Sequence, residues 1–504
     1  MRVTRRQTLK GLAGTGAAAV ISSLSSCRLT RRPNILFVMT DDQSVTEMSC
    51  YGNRILQTPN MDRLAAEGVR FVNAFVTNSL CAPSRATILT GCFSHVHGVR
   101  GNLEAGGAAE FINPKTPTFV QALQQAGYHT AIVGKWHLND EPKGFDYWCV
   151  LPGQGVYFDP DFIENGTRKK FRGYVTDIIT DLALEFLQRQ GDRPWCLLYH
   201  HKAPHRPFTP APRHARLFEE IELPYPETFN DDYATRRIAA EAVDMRLEVS
   251  LAGDYEDLPA GLSPEERKRW IFQRFVKDHY RAIYGVDENL GRILTYLDER
   301  GLAEDTVIFY TTDQGFFLGE HGWYDKRFMY EPSLRVPLVV RYPRLGVRGR
   351  VEERLVMNID FAPTLLDLVG VPIPETMQGV SLRPLLEGRL SADWRRSIYY
   401  AYYENSWALA RQGAIPQRPD DPNVRYYTLH RVPPHRGVRT ATHKLIHYYG
   451  EGDYWELFDL KTDPHELRNV YGEPSYASVV AELKQELERL RVHYKDTSSE
   501  QAAV

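Results

Sequence analysis

The chain has no long apolar run outside its N-terminus, no excess of charge of one sign and little cysteine. Its 504 residues include 61 basic and 64 acidic side chains, so the formal net charge is −3. A nucleic-acid-binding protein usually carries a basic domain, and this balance argues against one. After residue 32 we find no segment apolar enough to cross a membrane and no internal repeat. An anionic ligand would therefore have to be held by local positive charge.

Six cysteines are few for this length, and their spacing matches no zinc-binding pattern. An exported protein can form disulfides, whereas a chain that folds in the cytosol before export need not. We therefore expect mostly free, buried thiols at Cys50, Cys92, Cys149 and Cys196.

Residues 1–32 are typical of an export signal rather than of the fold. Arg5 and Arg6 precede a Gly- and Ala-rich run, a pattern similar to a twin-arginine signal. The run ends in a segment similar to a bacterial lipoprotein cleavage box, with Cys27 as the lipidated residue. The alternatives are a plain cleaved signal and a tail outside the fold. We expect an exported bacterial protein, either periplasmic or anchored to a membrane through a lipid.

Apolar segments rich in strand formers alternate with amphipathic helical segments. The strand candidates are 34–40, 130–133, 195–199 and 306–311. Helical patterns precede three of them, at 117–126, 175–190 and 279–300. This alternation predicts an α/β fold with a large parallel-rich mixed sheet between layers of helices. The polar segment 208–270, with one helical piece around 232–250, is predicted to be an insertion beside the site.

From about residue 391 the pattern changes to aromatic-rich strands followed by an amphipathic helix. The strand candidates are 397–403, 437–449 and 456–460, and the helix spans 479–494 with Leu483, Leu487 and Leu490 along one stripe. We therefore predict two domains, 33–388 and 389–504. The second is a smaller α+β domain with an antiparallel sheet and a terminal helix.

Ionisable residues directly follow each strand candidate of the first domain. They are Asp41 and Asp42, Lys135 and His137, His205, and Asp313 with Gln314. Taken singly, each is compatible with a solvated loop or a surface side chain. Because ligands bind at the carboxyl ends of parallel strands, we expect these residues to form one active site. The carboxylate and amide oxygens suit calcium or magnesium better than zinc.

The segment 77–91 predicts a short helix that begins near Cys81. Pro83 suits the first turn, and Gly91 can end the helix in a left-handed conformation. Cys81 would then lie at the helix N-terminus, which attracts anions, and Arg85 would lie one turn further on. The alternative is a small buried cysteine and a surface arginine.

The run Cys81-Ala82-Pro83-Ser84-Arg85 resembles the signature of the type I sulfatases, and Thr87 and Thr90-Gly91 fit the longer pattern. Blocks at 134–137, 203–205 and 322–326 are also similar to that family, and the resemblance extends from about residue 33 to 494. It implies an alkaline-phosphatase-like fold and a sulfuric ester hydrolase. It also implies that a dedicated enzyme converts Cys81 to Cα-formylglycine. The chain is similar above all to N-acetylglucosamine-6-sulfatases that act on glycosaminoglycans or mucins.

The resemblance also implies site roles. One divalent cation, most often calcium, would be bound by Asp41, Asp42, Asp313, Gln314 and the modified Cys81; the position of Gln314 is often Asn or His in relatives. The hydrated formylglycine would attack sulfur, and Arg85 would stabilise it.

The remaining basic residues receive roles in the same way. Lys135 and Lys326 would hold sulfate oxygens, with Lys326 or His205 near the leaving oxygen. His205 is the better general acid, since an alkoxide leaving group needs a proton. His137 would deprotonate the second hydroxyl, so that the covalent sulfate ester collapses. Substrate contacts, with a structural role as the alternative, are predicted at Asn102, His321, His435, Arg436 and Arg439.

Two other functions stay open at this point. One is a phosphonate or phosphate monoester hydrolase of the same superfamily. The other is an inactive lipoprotein that binds sulfated glycans and keeps Cys81 unmodified. In each case we expect no nucleic-acid partner, and contact with a membrane only through an N-terminal lipid.

Overall fold

A computed structural model describes residues 32–498 apart from 103–111, 139, 390–392, 405–429, 431 and 450–451. Within these residues, no helix is both long and apolar enough to span a bilayer. The predicted export signal, including Cys27, lies outside the described residues. So does part of the predicted second domain.

The strands, in chain order, are β1 (Asn34–Asp41), β2 (Val69–Phe75), β3 (His129–Lys135), β4 (Tyr147–Leu151), β5 (Asp161–Glu164), β6 (Thr167–Lys170), β7 (Trp195–Pro204), β8 (Thr306–Thr312), β9 (Phe317–Leu318), β10 (Tyr324–Asp325), β11 (Arg335–Arg341), β12 (Arg350–Glu352), β13 (Val356–Met357), β14 (Ser397–Tyr402), β15 (His435–Thr440), β16 (His443–Tyr448) and β17 (Tyr454–Asp459). The α-helices are α1 (Pro59–Glu67), α2 (Cys81–Thr90), α3 (Ser94–His97), α4 (Phe119–Gln125), α5 (Val175–Gln188), α6 (Arg237–Glu241), α7 (Leu247–Ser250), α8 (Pro264–Glu299), α9 (Glu331–Leu334), α10 (Phe361–Leu368), α11 (Arg383–Leu386) and α12 (Ala477–His493).

The four strands predicted from the sequence form the centre of the large sheet. Its order is β12-β2-β11-β8-β1-β7-β3-β4-β5-β6, with β13 also paired to β2. Strands β8, β1, β7 and β3 are mutually parallel, which confirms the predicted parallel-rich sheet. Sequence reasoning missed β2 and β11, which run antiparallel to each other and join the sheet beside β8. The sheet is therefore mixed, as the fold class requires.

Both faces of the large sheet are covered by helices. The central strands are apolar on both sides, and burying both sides requires a layer of helices on each. On one face, Leu36 and Val38 of β1 pack with residues of α5 and α8. On the other, Phe37 packs with residues of α4 and α10. Alternate residues of one strand thus enter two separate cores.

Helix α8 is longer than predicted, since it begins at Pro264 and not at residue 279. Ser263 caps it through a reciprocal pair of hydrogen bonds with Glu266. The first half of the helix is rich in charged residues, but it also carries an apolar stripe that packs on the insertion. This stripe includes Phe272 and Phe275. The prediction of one helix around 232–250 was wrong as well. The chain there forms the short α6 and α7, and Ala242 leaves the helical conformation between them.

The C-terminal sheet is antiparallel in the order β14-β15-β16-β17, as predicted. The segment 437–449 proved to be a hairpin of two strands and not one strand. Leu483, Leu487 and Leu490 of α12 are buried, and they join one continuous core with β14–β17 and the large sheet. This small domain is thus packed firmly on the large one. The exact boundary at residue 388 stays a prediction.

The cysteines outside the signal are unpaired. Cys50 is half-buried, and Cys81, Cys92, Cys149 and Cys196 are buried, all as free thiols. This agrees with the expectation from the sequence.

Candidate active site

Three buried carboxylates meet at the carboxyl ends of β1 and β8. Thr40 of β1 pairs with Thr312 of β8, so the register brings Asp41 and Asp42 beside Asp313. Oxygen atoms of the three carboxylates lie within 4.8 Å of one another. The Asp313 Oδ1 atom accepts hydrogen bonds from the backbone N–H groups of Asp42 (3.2 Å) and Gln314 (3.0 Å). The two loops are thereby joined at the predicted edge of the sheet.

Cations offset the charge of these carboxylates. Lys135 Nζ pairs with Asp41, Lys326 Nζ pairs with Asp42, and Arg85 Nη2 lies 2.9 Å from Asp313 Oδ2. Burial opposes ionisation of Asp41, but the surrounding positive charges lower the pKa of its carboxyl well below the ordinary value.

Asp313 behaves in the opposite way. Burial, and then the charge of Asp41, raise its pKa to about 7. The positive charges around Asp313, Arg85 foremost, therefore offset its burial less completely than the cations around Asp41 do.

The residues at this edge fit a hard divalent cation. The three carboxylates and Gln314 Oε1 offer oxygen atoms, the type that calcium and magnesium prefer, whereas Gln314 Nε2 donates to Asp42. Gln314 Oε1 is buried and has no hydrogen-bond partner within the described part of the chain. A buried carbonyl oxygen without a partner is costly, and a cation beside it would remove that cost.

Cys81 begins helix α2 next to these carboxylates. Gly91 ends the helix in a left-handed conformation (φ 63°), as the sequence predicted. Cys81 Sγ lies 3.7 Å from Asp41 Oδ1, 3.6 Å from Gln314 Nε2 and 3.3 Å from Lys326 Nζ. Burial raises the pKa of its thiol to about 12. The group is therefore protonated at neutral pH and is a poor nucleophile as a thiol.

Arg85 links helix α2 to two strand ends. Its Nε donates to Asp313 Oδ2 (3.0 Å), and its Nη1 donates to the backbone oxygen of Lys135 (2.9 Å). Its Nη2 lies 3.8 Å from Asp41 Oδ1. The side chain is almost fully buried, so the surface alternative is wrong for this residue.

His205 lies beside Asp42, with a ring nitrogen within 4.8 Å of Cys81 Sγ and of an Asp41 carboxylate oxygen. Its Nδ1 donates to the Arg206 carbonyl oxygen (2.8 Å), since a carbonyl can only accept, and its Nε2 lies 3.7 Å from Asp42 Oδ2. Burial, and then the charge of Lys135, lower the pKa of His205 well below its ordinary value.

The other basic residues predicted for the site lie at the same edge. Lys326 is buried and follows the short strand β10, and carboxylates around it raise its pKa despite burial. His137 lies two residues beyond Lys135, half-buried.

Four residues at this edge have a strained backbone. Asp42 (φ 70°), His137 (φ 55°), Asp325 (φ 77°) and Arg327 (φ 87°) all have left-handed backbones. Such conformations persist only where the surrounding structure enforces them, and they cluster at functional sites. Lys326 is thus flanked by a strained residue on each side.

The predicted substrate contacts have structural partners. Asn102 Oδ1 accepts from the Ala82 backbone N–H (3.0 Å), which caps the helix of Cys81. His321 is buried, and its Nδ1 lies 2.6 Å from Asp231 Oδ2. His435 is fully buried among the rings of Tyr400, Tyr402 and Tyr448. Arg436 packs over the Tyr449 ring, and Arg439 pairs with Glu331.

Sequence reasoning missed several residues of the site. Gln154 Oε1 accepts from Lys135 Nζ (2.6 Å), and the backbone oxygen of Gln154 accepts from Lys202 Nζ (3.1 Å). Lys202 directly precedes the block 203–205, and could have been chosen for its charge. Gln154 lies in a loop without a local pattern, so no sequence signal could have identified it.

A protein-family model described as Sulfatase matches residues 33–371. A second one, described as N-sulphoglucosamine sulphohydrolase, C-terminal, matches residues 422–493.

Three similar proteins cover most of the chain. It is 43% identical to the N-acetylglucosamine-6-O-sulfatase of Bacteroides thetaiotaomicron, over 95% of this chain and 90% of that one. It is 29% identical to the N-acetylglucosamine-6-sulfatase of Homo sapiens, over 74% of this chain and 68% of that one. The solved structure of BT4656 in complex with its substrate D-glucosamine-2-N,6-O-disulfate superposes with a TM-score of 0.84 at 42% identity. That match covers 94% of this chain and 100% of the other.

Proposed function

The chain belongs to the sulfatase family, and from that premise we propose that it hydrolyses the 6-O-sulfate ester of glucosamine units in a glycosaminoglycan or mucin. The observation that carries this substrate is the 43% identity to an N-acetylglucosamine-6-O-sulfatase along 95% of the chain. The site supports it, because buried cations and carboxylates surround residue 81.

Two groups characteristic of the family would complete the site. Asp41, Asp42, Asp313 and Gln314 would hold a divalent cation, most suitably calcium, which would polarise the sulfuryl group. Formylglycine made from Cys81 would supply, once hydrated, two hydroxyls on one carbon, one to attack sulfur and one that later allows sulfate to leave. The poor nucleophilicity of the buried thiol supports this modification.

The lysines would bind the sulfate group. Lys326 Nζ lies 3.3 Å from Cys81 Sγ. Lys135 Nζ and Cys81 Sγ both contact the carboxylate of Asp41. Both ammonium groups are buried, so they would stabilise negative charge that develops on the sulfuryl oxygens in the transition state. Arg85 keeps the residue at position 81 and the carboxylates in a constant relative position.

Proton transfer is assigned to the two histidines. His205 would donate a proton to the leaving sugar oxygen through Nε2, since Nδ1 is engaged with the Arg206 carbonyl. Its lowered pKa opposes this role in the free protein, and an anionic ester bound nearby would raise that pKa. His137 would accept the proton of the second hydroxyl, so that the carbonyl re-forms and sulfate leaves.

We further propose that residues 1–32 direct export and that Cys27 carries a lipid. Sulfated glycans of this kind lie outside the cell, so export is consistent with the proposed substrate. Replacing Arg5 and Arg6 with lysine should retain the protein in the cytosol, and fractionation would detect it.

A substrate panel tests the proposal. The mass of the peptide that contains residue 81 is measured first, to show whether Cys81 is converted. The protein is then given N-acetylglucosamine-6-sulfate, its 3-sulfate isomer, N-acetylgalactosamine-6-sulfate, and aryl sulfate, phosphate and phosphonate esters. We expect sulfate release to be fastest from N-acetylglucosamine-6-sulfate. Faster cleavage of the phosphate or phosphonate would contradict the proposal. An unmodified Cys81 with no turnover would favour the inactive glycan-binding protein.

A further inference from the structure

Tyr400 of strand β14 joins two segments of the active site through its hydroxyl group. The Tyr400 Oη atom accepts a hydrogen bond from the Ser79 backbone N–H (3.1 Å) and donates one to the Arg327 carbonyl oxygen (2.6 Å). Ser79 is two residues before Cys81, and Arg327 directly follows Lys326. One buried hydroxyl of the small domain therefore connects the approach to the nucleophile with the segment that carries a sulfate-binding lysine.

The surroundings hold Tyr400 in place. The Ala401 backbone N–H donates to the Thr77 carbonyl oxygen (3.0 Å), which extends the contact of β14 with the segment before Cys81. The Tyr400 ring is fully buried and stacks on His435, with centroids 5.5 Å apart. His435 thus has a packing role inside the small domain, and this role requires no contact with substrate.

A second point of attachment lies at the Ser333 carbonyl oxygen. It accepts from Ser79 Oγ (2.9 Å) and from the Gly315 backbone N–H (3.0 Å). The loop of Asp313 and Gln314 is thereby joined to the same pair of segments. Between Lys326 and Ser333, the backbone of Arg327 is strained (φ 87°). The position of this segment therefore depends on contacts from other parts of the chain, such as that of Tyr400.

We infer that Tyr400 is a positioning residue for the reaction, and that through it the small domain holds Lys326 against the nucleophile at position 81. The inference rests on the proposed function. It assigns to the C-terminal sheet a part in catalysis that does not involve touching the substrate. A small displacement of Lys326 would weaken charge stabilisation in the transition state more than it would weaken substrate binding.

The neighbouring Tyr399 provides a matched control. It is equally buried in the same strand, and its hydroxyl donates to Asp496 Oδ2 (2.5 Å), on the opposite face. We expect Tyr400→Phe to lower kcat by roughly 10- to 100-fold with little change in KM, and Tyr399→Phe to stay within about twofold of wild type. Equal losses in both variants, or a kcat of Tyr400→Phe within twofold of wild type, would overturn the inference.

A double-mutant cycle tests the route through Lys326. If Tyr400 acts by positioning that lysine, then Tyr400→Phe should lower kcat less than about twofold in a Lys326→Gln background. If the kcat losses of the two single variants multiplied in the double variant, Tyr400 would act independently of Lys326. That result would reject the inference.

Hydrogen–deuterium exchange provides a reading that needs no turnover. Peptides covering 77–81 and 325–334 should exchange faster in Tyr400→Phe and at the wild-type rate in Tyr399→Phe. Unchanged exchange in Tyr400→Phe would reject the connection. If the wild-type protein released no sulfate, the proposed function would fail, while the exchange rates would still decide whether Tyr400 joins these segments.

Discussion

The thiol of Cys81 lies between a carboxylate and an ammonium group, and its chemistry follows from burial. With a pKa of about 12 it carries no negative charge at neutral pH, although it lies at a helix N-terminus beside two lysines. The low dielectric constant around it outweighs the helix dipole. The same burial strengthens the attraction between the surrounding lysines and a bound, negatively charged sulfate ester.

Cys81→Ser tests the role of the modified residue. Serine has nearly the same shape, but in place of a hydrated aldehyde it has a single hydroxyl and cannot expel sulfate once esterified. We expect turnover to fall by about 10³-fold or more with no change in thermal midpoint. Steady-state rates and a melting curve measure both. Activity close to wild type would exclude the mechanism.

Close packing leaves the loops after β1 and β8 little room to move. The turn after β8 passes so close to α9 that a Cβ atom on Gly315 would lie 2.2 Å from the Pro332 carbonyl oxygen. This approach brings Asp313 and Gln314 to their positions beside Asp41. Helix α2 meets the same loops, since Ser84 Oγ donates to the Asp313 carbonyl oxygen.

Gly315→Ala should displace this loop. We expect a loss of about 1–3 kcal/mol in the free energy of unfolding, because the added methyl group meets backbone atoms that cannot rotate away. Urea denaturation measures the loss.

Gly472→Ala is the control for this substitution, since a Cβ atom there meets no atom within 4 Å. If the two variants had the same urea midpoint, the close approach at Gly315 would not limit the loop.

The two domains share a core that includes ionisable groups. Glu456 of β17 is fully buried, and Tyr330, from the segment after Lys326, donates to its Oε2 atom (3.0 Å), as does Tyr448 (3.3 Å). Burial raises the pKa of Glu456 from 4.5 to about 7. Because the folded state holds a proton that the unfolded state releases, stability contributed by this group is lost as pH rises from about 4.5 to about 7.

Glu456→Gln should remove this dependence on pH. Between pH 4 and pH 8, the free energy of unfolding of the variant should rise by about 3 kcal/mol relative to that of the wild type. Chemical denaturation at the two pH values measures it. A difference that does not vary with pH would show that Glu456 is not protonated in the folded protein near neutrality.

Much of the architecture could be predicted because it depends on local patterns. The central strands are continuous apolar runs, and the ends of helix α2 follow from Pro83 and Gly91. The charged first half of α8 could not be assigned in this way, because its apolar stripe has meaning only against the insertion that it covers. The same holds for β2 and β11, whose antiparallel pairing depends on segments more than 200 residues apart.

For the site, the sequence alone determined which residue types follow the central strands, and hence that carboxylates, a lysine and histidines meet at one edge. Only the tertiary structure decided the rest: the pairing of Thr40 with Thr312 that joins Asp41 to Asp313, the approach of Gln154 to Lys135, and the burial of His435 away from solvent. The physical reason is that strand register and side-chain direction depend on packing between distant segments, which no local pattern encodes.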